Sequence, residues 1–479
     1  MNQITAYFKN LDHEYRRQIL HAGLGFFILL LPFIDTGILV VIMFLVHIFF
    51  KYLPENSRLY HILVDKTDQD NRVIKSRGII GAKGLLISVF ILLLINTLFD
   101  HTSNSYPLYI IAGAIAISTF GDSAATIVRH KRQLKFHALT TEEYPERIYQ
   151  GERHKQYSVK SSSAMLGVGI VTAFFAGSWV VYWQGIDVSY NMVFFVAAIG
   201  AVTGALIESI PSNTNDNLTV PLGAGMVMWL FSTFGYSVPP SQMTAALLFS
   251  LVLGYLAFKA KIADVSAVLS ATLIGVLIIV FTNVLWILLL LTFFILGGAS
   301  TKYKYQYKRS IGLAQSKGGI RSYENVFSNS TTALVLAVAH GIYPQFSPLI
   351  TYAYLGTIAT ATGDTLASEI GTTSRIKPRM ITTLKVVETG VDGGVTPVGQ
   401  FVAILGSMTI GILAAVFGIV DNIPLAIGIS TISGFLGTNV DSLLGATLQN
   451  RGLLTNSGVN FVSTFLGALI SCGLYLLII

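Results

Sequence analysis

Charge is what this sequence has least of. Only 11% of its 479 residues are Asp, Glu, Lys or Arg, where a soluble globular chain carries about a quarter. No long polar stretch is left over to fold as a separate soluble domain. Cysteine is nearly absent too. Cys472 stands alone in the last apolar run, which excludes an internal disulfide framework and a cysteine-based metal centre. There is no G-x-x-x-x-G-K-[ST] loop, so a P-loop nucleotide site is not supported. Arg16 and Arg17 precede an apolar run without a small-residue cleavage site, so no cleaved signal peptide is expected. Lys and Arg (31) exceed Asp and Glu (24). In so apolar a chain that excess reads as orientation plus anionic lipid or phosphate contacts, and no nucleic-acid partner is expected.

What the chain has instead is hydrophobic sequence, 53% of it, in recurrent runs of about 18 to 22 residues, each long enough to cross a bilayer. The expected fold is all-α: a polytopic membrane helix bundle of about fifteen transmembrane helices. The expected spans are 19–34, 37–53, 79–98, 108–128, 163–183, 190–210, 218–236, 241–258, 263–281, 284–299, 325–342, 347–367, 397–419, 422–446 and 459–479. With the N-terminus inside, the outside loops contain no Lys or Arg, and within the spans only Lys51 and Lys83 are basic. The positive-inside rule then holds at every loop. Ser237-Val238-Pro239-Pro240-Ser241 is the natural seam. It gives two modules, 1–238 and 239–479, of seven and eight spans. Both contain a Gly-Asp pair among small hydroxyl residues at an inside helix end, Gly121-Asp122 and Gly363-Asp364. That weak echo suggests a repeat.

The chemistry-bearing residues gather at those inside ends. In the first module, Asp122, Glu208 and Asp216-Asn217 are candidates for a shared surface. Acids are costly in a bilayer unless they face a bundle interior or water, and converging carboxylates suit Mg²⁺, a hard ion that keeps substrate phosphates as partners. Arg129, Lys131, Lys160 and Ser162 lie between them. Cations, hydroxyls and a helix N-terminus together bind phosphate. The same acids also read as plain interfacial helix ends, and the basic loop as an orientation signal. The second module is denser: Lys317, Arg321, Asp364, Glu369, Lys385, Asp392-Gly393-Gly394, Asp441 and Asn460. Its glycines read either as helix-packing positions or as places where backbone N–H groups approach an anion. Packing does not account for Asp364, Glu369, Asp392 and Asp441 all falling near one face.

At these residues the sequence becomes recognisable. Residues 12–235 resemble the dolichol kinase and phytol kinase family, through Glu14-Tyr15-Arg16-Arg17 with His21, Gly121-Asp122-Ser123-Ala124-Ala125, the Lys160-Ser161-Ser162-Ser163 loop, and Glu208 with Asp216-Asn217-Leu218-Thr219-Val220-Pro221. The family's Lys-[Ser/Thr]-x-x-Gly-Ser loop is replaced here by Lys160-Ser161-Ser162-Ser163-Ala164-Met165. Residues 243–479 resemble the membrane family that includes plant phytyl-phosphate kinases. The likeness rests on Gly363-Asp364-Thr365-Leu366-Ala367-Ser368-Glu369-Ile370-Gly371, Gly393-Gly394-Val395-Thr396-Pro397-Val398-Gly399, Asp441-Ser442-Leu443-Leu444-Gly445, and Asn456 with Asn460.

The resemblances imply a bifunctional membrane kinase. The first module would take an isoprenoid alcohol to its monophosphate, and the second would take the isoprenyl monophosphate to the diphosphate. CTP or another nucleoside triphosphate would be the donor, with Mg²⁺ at the cytoplasmic face. Asp122, Glu208 and Asp216 would then hold the metal in the first site, and Asp364, Glu369, Asp392 and Asp441 in the second. Arg129, Lys131 and Lys160, and Lys317, Arg321 and Lys385, would steady phosphates. The alternatives are a CTP-dependent lipid nucleotidyltransferase, which would release pyrophosphate, and a non-enzymatic transporter, whose helix-borne acids would serve translocation.

Overall fold

The computed structural model describes residues 13–52, 77–99, 107–141, 158–210, 214–315 and 319–478. The chain divides into two compact units, Met1–Ser241 and Gln242–Ile479. In the first unit α1 (His13–Gly25) continues as a 3-10 helix to Phe33 with Pro32 inside it. Then follow α2 (Thr36–Lys51), α3 (Arg77–Phe99), α4 (Leu108–Ala116), a π-turn (Ile117–Gly121), α5 (Asp122–Thr141), α6 (Val159–Gln184), α7 (Tyr190–Ser209) and α8 (Asp216–Thr233). The starts are set by short polar caps. Asp35 accepts from the Gly37 and Ile38 amides, and Ser158 and Ser161 form a reciprocal capping box. All nine residues of α4 are buried, as is most of α7, so these two helices form the centre of the unit.

The second unit contains α9 (Pro240–Lys259), α10 (Val265–Phe281), α11 (Val284–Lys302), the short α12 (Tyr305–Ser310), α13 (Tyr323–Ile342), α14 (Ser347–Gly371), α15 (Pro397–Val416), α16 (Ile423–Leu444) with a π-turn to Gln449, and α17 (Asn456–Ile478). Between α14 and α15 two antiparallel strands, β1 (Arg379–Met380) and β2 (Gly394–Val395), make a small hairpin. The centre is α14, buried on every side from Ile350 to Gly363. Its hydroxyls do not need outside partners: Thr351, Thr357, Thr360 and Thr362 each donate to the carbonyl one turn back.

Small residues bring the helices together, as in lipid, where packing rather than water exclusion drives association. A Cβ at Gly411 of α15 would meet the Ala426 carbonyl oxygen at 2.7 Å and Ile427 Cα at 2.8 Å. Both are backbone atoms of α16 and cannot swing away. Gly411→Ala is therefore expected to cost about 1–3 kcal/mol. Gly428→Ala on α16, where a Cβ meets nothing within 4 Å, should cost nothing measurable. Thermal unfolding of the two variants in detergent checks the contrast.

Each of the fifteen expected spans coincides with a helical segment, and the all-α membrane architecture is as expected. The number of crossings is supported only loosely. Among the described residues, eight helices are long and apolar enough to cross a membrane, or nine if α13 and α14 count as one broken span. Those two helices turn by 116° at Tyr343–Phe346. Four more apolar helices are shorter, including Gly84–Phe99 and Val265–Phe281. Hydropathy alone counts each apolar run as a crossing, whereas a helix buried within its own unit can be apolar at any length.

Candidate functional site

Helix ends converge on one polar cavity in the second unit, of about 310 Å³. α14 and α16 enter it with their C-terminal turns, which carry Asp364 and Asp441. α13, α15 and α17 enter with their N-terminal turns, which carry Asn325, Gly399 with Gln400, and Asn456 with Asn460. Three helix N-termini supply partial positive charge and amide donors. The hairpin closes one wall with Thr389–Thr396. Gly393 is needed there on two counts. Its φ is +82°, and a Cβ would meet Ala446 Cα and N at 2.8 Å, so the loop backbone rests directly on the π-turn after α16.

The Asp364 and Asp441 carboxyls lie within hydrogen-bonding reach of each other, with Asp392 close enough for its charge to be felt at Asp441. Ser463 donates to Asp441 Oδ2 (2.9 Å) and Gln449 Nε2 to Asp392 Oδ2 (2.9 Å). Two ionised carboxylates this close repel, and a cation or a shared proton relieves them. Among the described residues no three His, Cys, Asp or Glu side chains are clustered tightly enough to hold a metal by themselves. The fit is to an ion that takes one or two carboxylates and completes its shell with water and phosphate oxygens, which is the habit of Mg²⁺.

Opposite charge comes from Arg321, 7% exposed. Its backbone is clamped to the turn before α10: its N–H donates to the Ile262 carbonyl (2.8 Å), and its carbonyl accepts from the Asp264 N–H (3.0 Å). The guanidinium carbon lies 5.6 Å and 5.8 Å from the ring centroids of Phe293 and Phe294, contacts that favour a cation. Gly297 makes room for it, since a Cβ there would meet Nη2 at 2.8 Å. Among the described residues no acceptor takes a hydrogen bond from this guanidinium. Burial pulls its pKa below the usual arginine value, while the charge of Glu369 opposes that shift.

Of the residues singled out in the second module, the structure brings Arg321, Asp364, Asp392, Gly393, Gly394, Asp441 and Asn460 to this cavity. It gives Glu369 a different place from the expected metal ligand. Five residues along a helix rotate the side chain by about 140°, so Glu369 points away from Asp364 into the wall. There Lys308 Nζ donates to Glu369 Oε2 at 2.5 Å, and Thr301 Oγ1 and Gln315 Nε2 donate to Oε1 at 3.0 and 2.6 Å. Lys308, 1% exposed, also donates to the Ser300 and Thr301 carbonyls at the end of α11. Lys385 is likewise elsewhere: it stands exposed on the hairpin, outside the cavity. Lys317 lies outside the described residues.

In the first unit, the expected metal ligand Glu208 is fully buried and paired with the expected phosphate ligand Arg129 (2.6 Å), which also donates to Thr126 Oγ1 (2.9 Å). The pairing sets the two side chains against each other, Glu208 at 0% and Arg129 at 10% exposure. Asp122 opens α5 directly after the π-turn, beside Ser123, whose hydroxyl contacts His21 Nδ1 at 3.3 Å. Such π-turns occur disproportionately at functional sites. Asp216 and Asn217 occupy the first turn of α8, capped by Asn215. Ser162 is buried in α6, while Lys160 and Lys131 are exposed. With Asp122, Glu208 and Asp216 not forming a cluster, this unit presents no metal trio among the described residues.

Sequence reasoning missed Lys308, Gln315, Gly297, Phe293 and Phe294. Only the Gly297-Gly298 pair at a helix end was a signal that could have found the Arg321 cradle.

Apolar helices that end around a charged, water-accessible cavity define an all-α, multi-pass integral membrane protein. A family model described as integral membrane protein DUF92 matches residues 248–468. An uncharacterised membrane protein of Methanocaldococcus jannaschii is 32% identical over 235 residues, covering 49% of this chain and 94% of its own. The chain belongs to the DUF92 family of integral membrane proteins. Protein PGR of Arabidopsis thaliana is 30% identical over 273 residues, covering 48% of this chain and 94% of its own. The chloroplastic protein VTE6 of the same plant is 26% identical over 191 residues, covering 38% of this chain and 56% of its own. No solved structure matches the chain.

Proposed function

We propose that the second unit is a membrane phosphotransferase that converts an isoprenyl monophosphate to the diphosphate, using Mg²⁺ and a nucleoside triphosphate such as CTP. The observation that carries this reading is the pairing, in one cavity, of adjacent carboxylates Asp364 and Asp441 with the buried guanidinium of Arg321. A phosphorylated substrate with a bound metal presents both signs of charge and satisfies both walls. The likeness to VTE6, and the resemblance to the family that includes plant phytyl-phosphate kinases, support the lipid class of the substrate. An isoprenyl tail stays among apolar helices while its phosphate reaches the polar end.

In the reaction a monophosphate oxygen of the prenyl substrate attacks the γ-phosphorus of the donor. The bond to the β,γ-bridging oxygen breaks, and the nucleoside diphosphate leaves. No covalent chemistry is asked of the protein, so catalysis is positioning and charge stabilisation. Asp364 and Asp441 would hold Mg²⁺, which when bound supplies charge neutralisation to the phosphates. Arg321 would hold the acceptor phosphate, and the Gly393 and Gly394 amides and the three helix N-termini would draw the donor phosphates into line. On this reading the first unit is the companion alcohol kinase, with Asp122 and Asp216 near its metal, and both sites face the cytoplasm.

The test is purified protein with Mg²⁺, CTP or ATP, and either geranylgeraniol or geranylgeranyl monophosphate, with lipid products separated by chromatography. Asp122→Asn is expected to abolish use of the alcohol while sparing the monophosphate step. Asp364→Asn should do the reverse, so that monophosphate accumulates from alcohol. Loss of both steps in every variant would mean one composite site. Pyrophosphate release would mean nucleotidyl transfer.

A further inference from the structure

The hairpin between α14 and α15 presents a surface that the cavity does not use. Its tip is a tight, well-bonded turn: the Met380 carbonyl accepts from the Thr383 and Leu384 amides, the Met380 amide donates to the Lys385 carbonyl, and Arg379 Nη1 donates to the Leu384 carbonyl at 2.9 Å. At that tip Leu384 has φ +58° and is 65% exposed. The left-handed region disfavours any residue with a Cβ, and an exposed leucine gains nothing in water. Ile376 and Val386 are more than half exposed close by in the chain.

Around these apolar side chains residues 375–388 carry Arg375, Lys377, Arg379 and Lys385 against one acid, Glu388, which Lys377 pairs at 3.0 Å. β2 ends one residue before the cap of α15, so the strand pair sits on the ends of two helices of the membrane bundle. The hairpin therefore joins directly onto the first turn of α15, one of the helices long and apolar enough to cross a membrane.

We propose that this hairpin is a membrane-interface anchor. Leu384, Ile376 and Val386 enter the headgroup and upper acyl region of the protein's own bilayer, and the surrounding cations bind anionic lipid headgroups. The mixture of apolar tip and basic flank is the chemistry of interfacial segments. The same hairpin supplies Pro378 and Thr389–Thr396 to the cavity wall. Its anchorage thus fixes that wall against the membrane surface.

The experiment uses the full chain with Cys472→Ser and a single new cysteine, Leu384→Cys or Val386→Cys, labelled with an environment-sensitive fluorophore. The protein is placed in phosphatidylcholine bilayers with or without phosphatidylglycerol. Both probes are expected to emit to the blue of their value in water, and to lose most of that emission when the lipids carry brominated acyl chains. Neutralising Arg375, Lys377 and Lys385 to glutamine should weaken the quenching chiefly in bilayers containing phosphatidylglycerol. Water-like emission at both positions would overturn the proposal. So would a blue shift that brominated lipid does not quench, which would mean contact with protein, a second copy included. Neither readout depends on catalysis, so the result stands apart from whether the cavity is a kinase site.

Discussion

Asp441→Asn and Asp364→Asn should each lower kcat/KM on prenyl monophosphate by about a hundredfold or more at saturating Mg²⁺. Each substitution keeps the size and one acceptor oxygen of the side chain, removes the charge, and turns the second oxygen into an NH2 donor. The Ser463 hydroxyl that donates to Asp441 Oδ2 (2.9 Å) can still donate to the asparagine carbonyl oxygen. A second readout separates metal binding from general damage. In the absence of a divalent ion the two carboxylates repel, so removing either charge should raise the unfolding temperature of metal-free protein. Mg²⁺ should then stabilise the wild type and fail to stabilise either variant. A variant destabilised without Mg²⁺, yet still stabilised by it, would show that the aspartates serve packing and not the ion.

The second large effect is expected at Lys308. Lys308→Met leaves Glu369 buried, with only the Thr301 hydroxyl and Gln315 amide still donating to it. Removing one partner of a buried ion pair costs about 3–5 kcal/mol, because the remaining charge has lost its compensation. Glu369→Gln should cost less, since the amide oxygen can still accept from Lys308, which also keeps the Ser300 and Thr301 carbonyls, while its NH2 then faces Thr301 and Gln315. The double variant Lys308→Met with Glu369→Met should recover much of the loss, because neither charge is then stranded. Denaturation of wild type, Lys308→Met, Glu369→Met and the double variant in one detergent gives the coupling directly. Glu369→Gln also distinguishes the wall from the metal site: its Mg²⁺ dependence should match wild type while the KM for the phosphorylated substrate rises, as Gln315 is released from the cavity edge. A changed Mg²⁺ requirement would return Glu369 to the ion.

The helices were legible because an apolar run marks each one and short polar caps mark several of the starts, as at Asp35, Ser158 and Thr396. Helix length relative to a bilayer was less legible. Val265–Phe281 is apolar because its own unit buries it, and periodicity does not separate that from burial in lipid. Within the site, Asp364, Asp392 and Asp441 could be picked out because an acid near a helix end in so apolar a chain is conspicuous. Glu369 was as conspicuous and misled, since rotation along the helix, not proximity in sequence, decides which face an acid shares. The pairing of Glu208 with Arg129 was not legible at all, because the two stand 79 residues apart, a distance no spacing rule covers. Lys308 lies in the short helix α12 and Gln315 just beyond it, a polar stretch too brief for a periodic pattern to be read.

The burial of α14 has a consequence for how the protein is made. Its neighbours α15, α16 and α17 all emerge from the ribosome after it. The atoms that Gly356 packs on, the Gly467 carbonyl and Ser471, arrive last of all. Until then only the earlier helices α11 and α13 cover a segment bearing four threonines and Asp364, and its remaining faces are poorly suited to lipid. The closing of α17 over α14 is therefore the step that both completes the cover of the segment carrying the central aspartate and assembles the cavity.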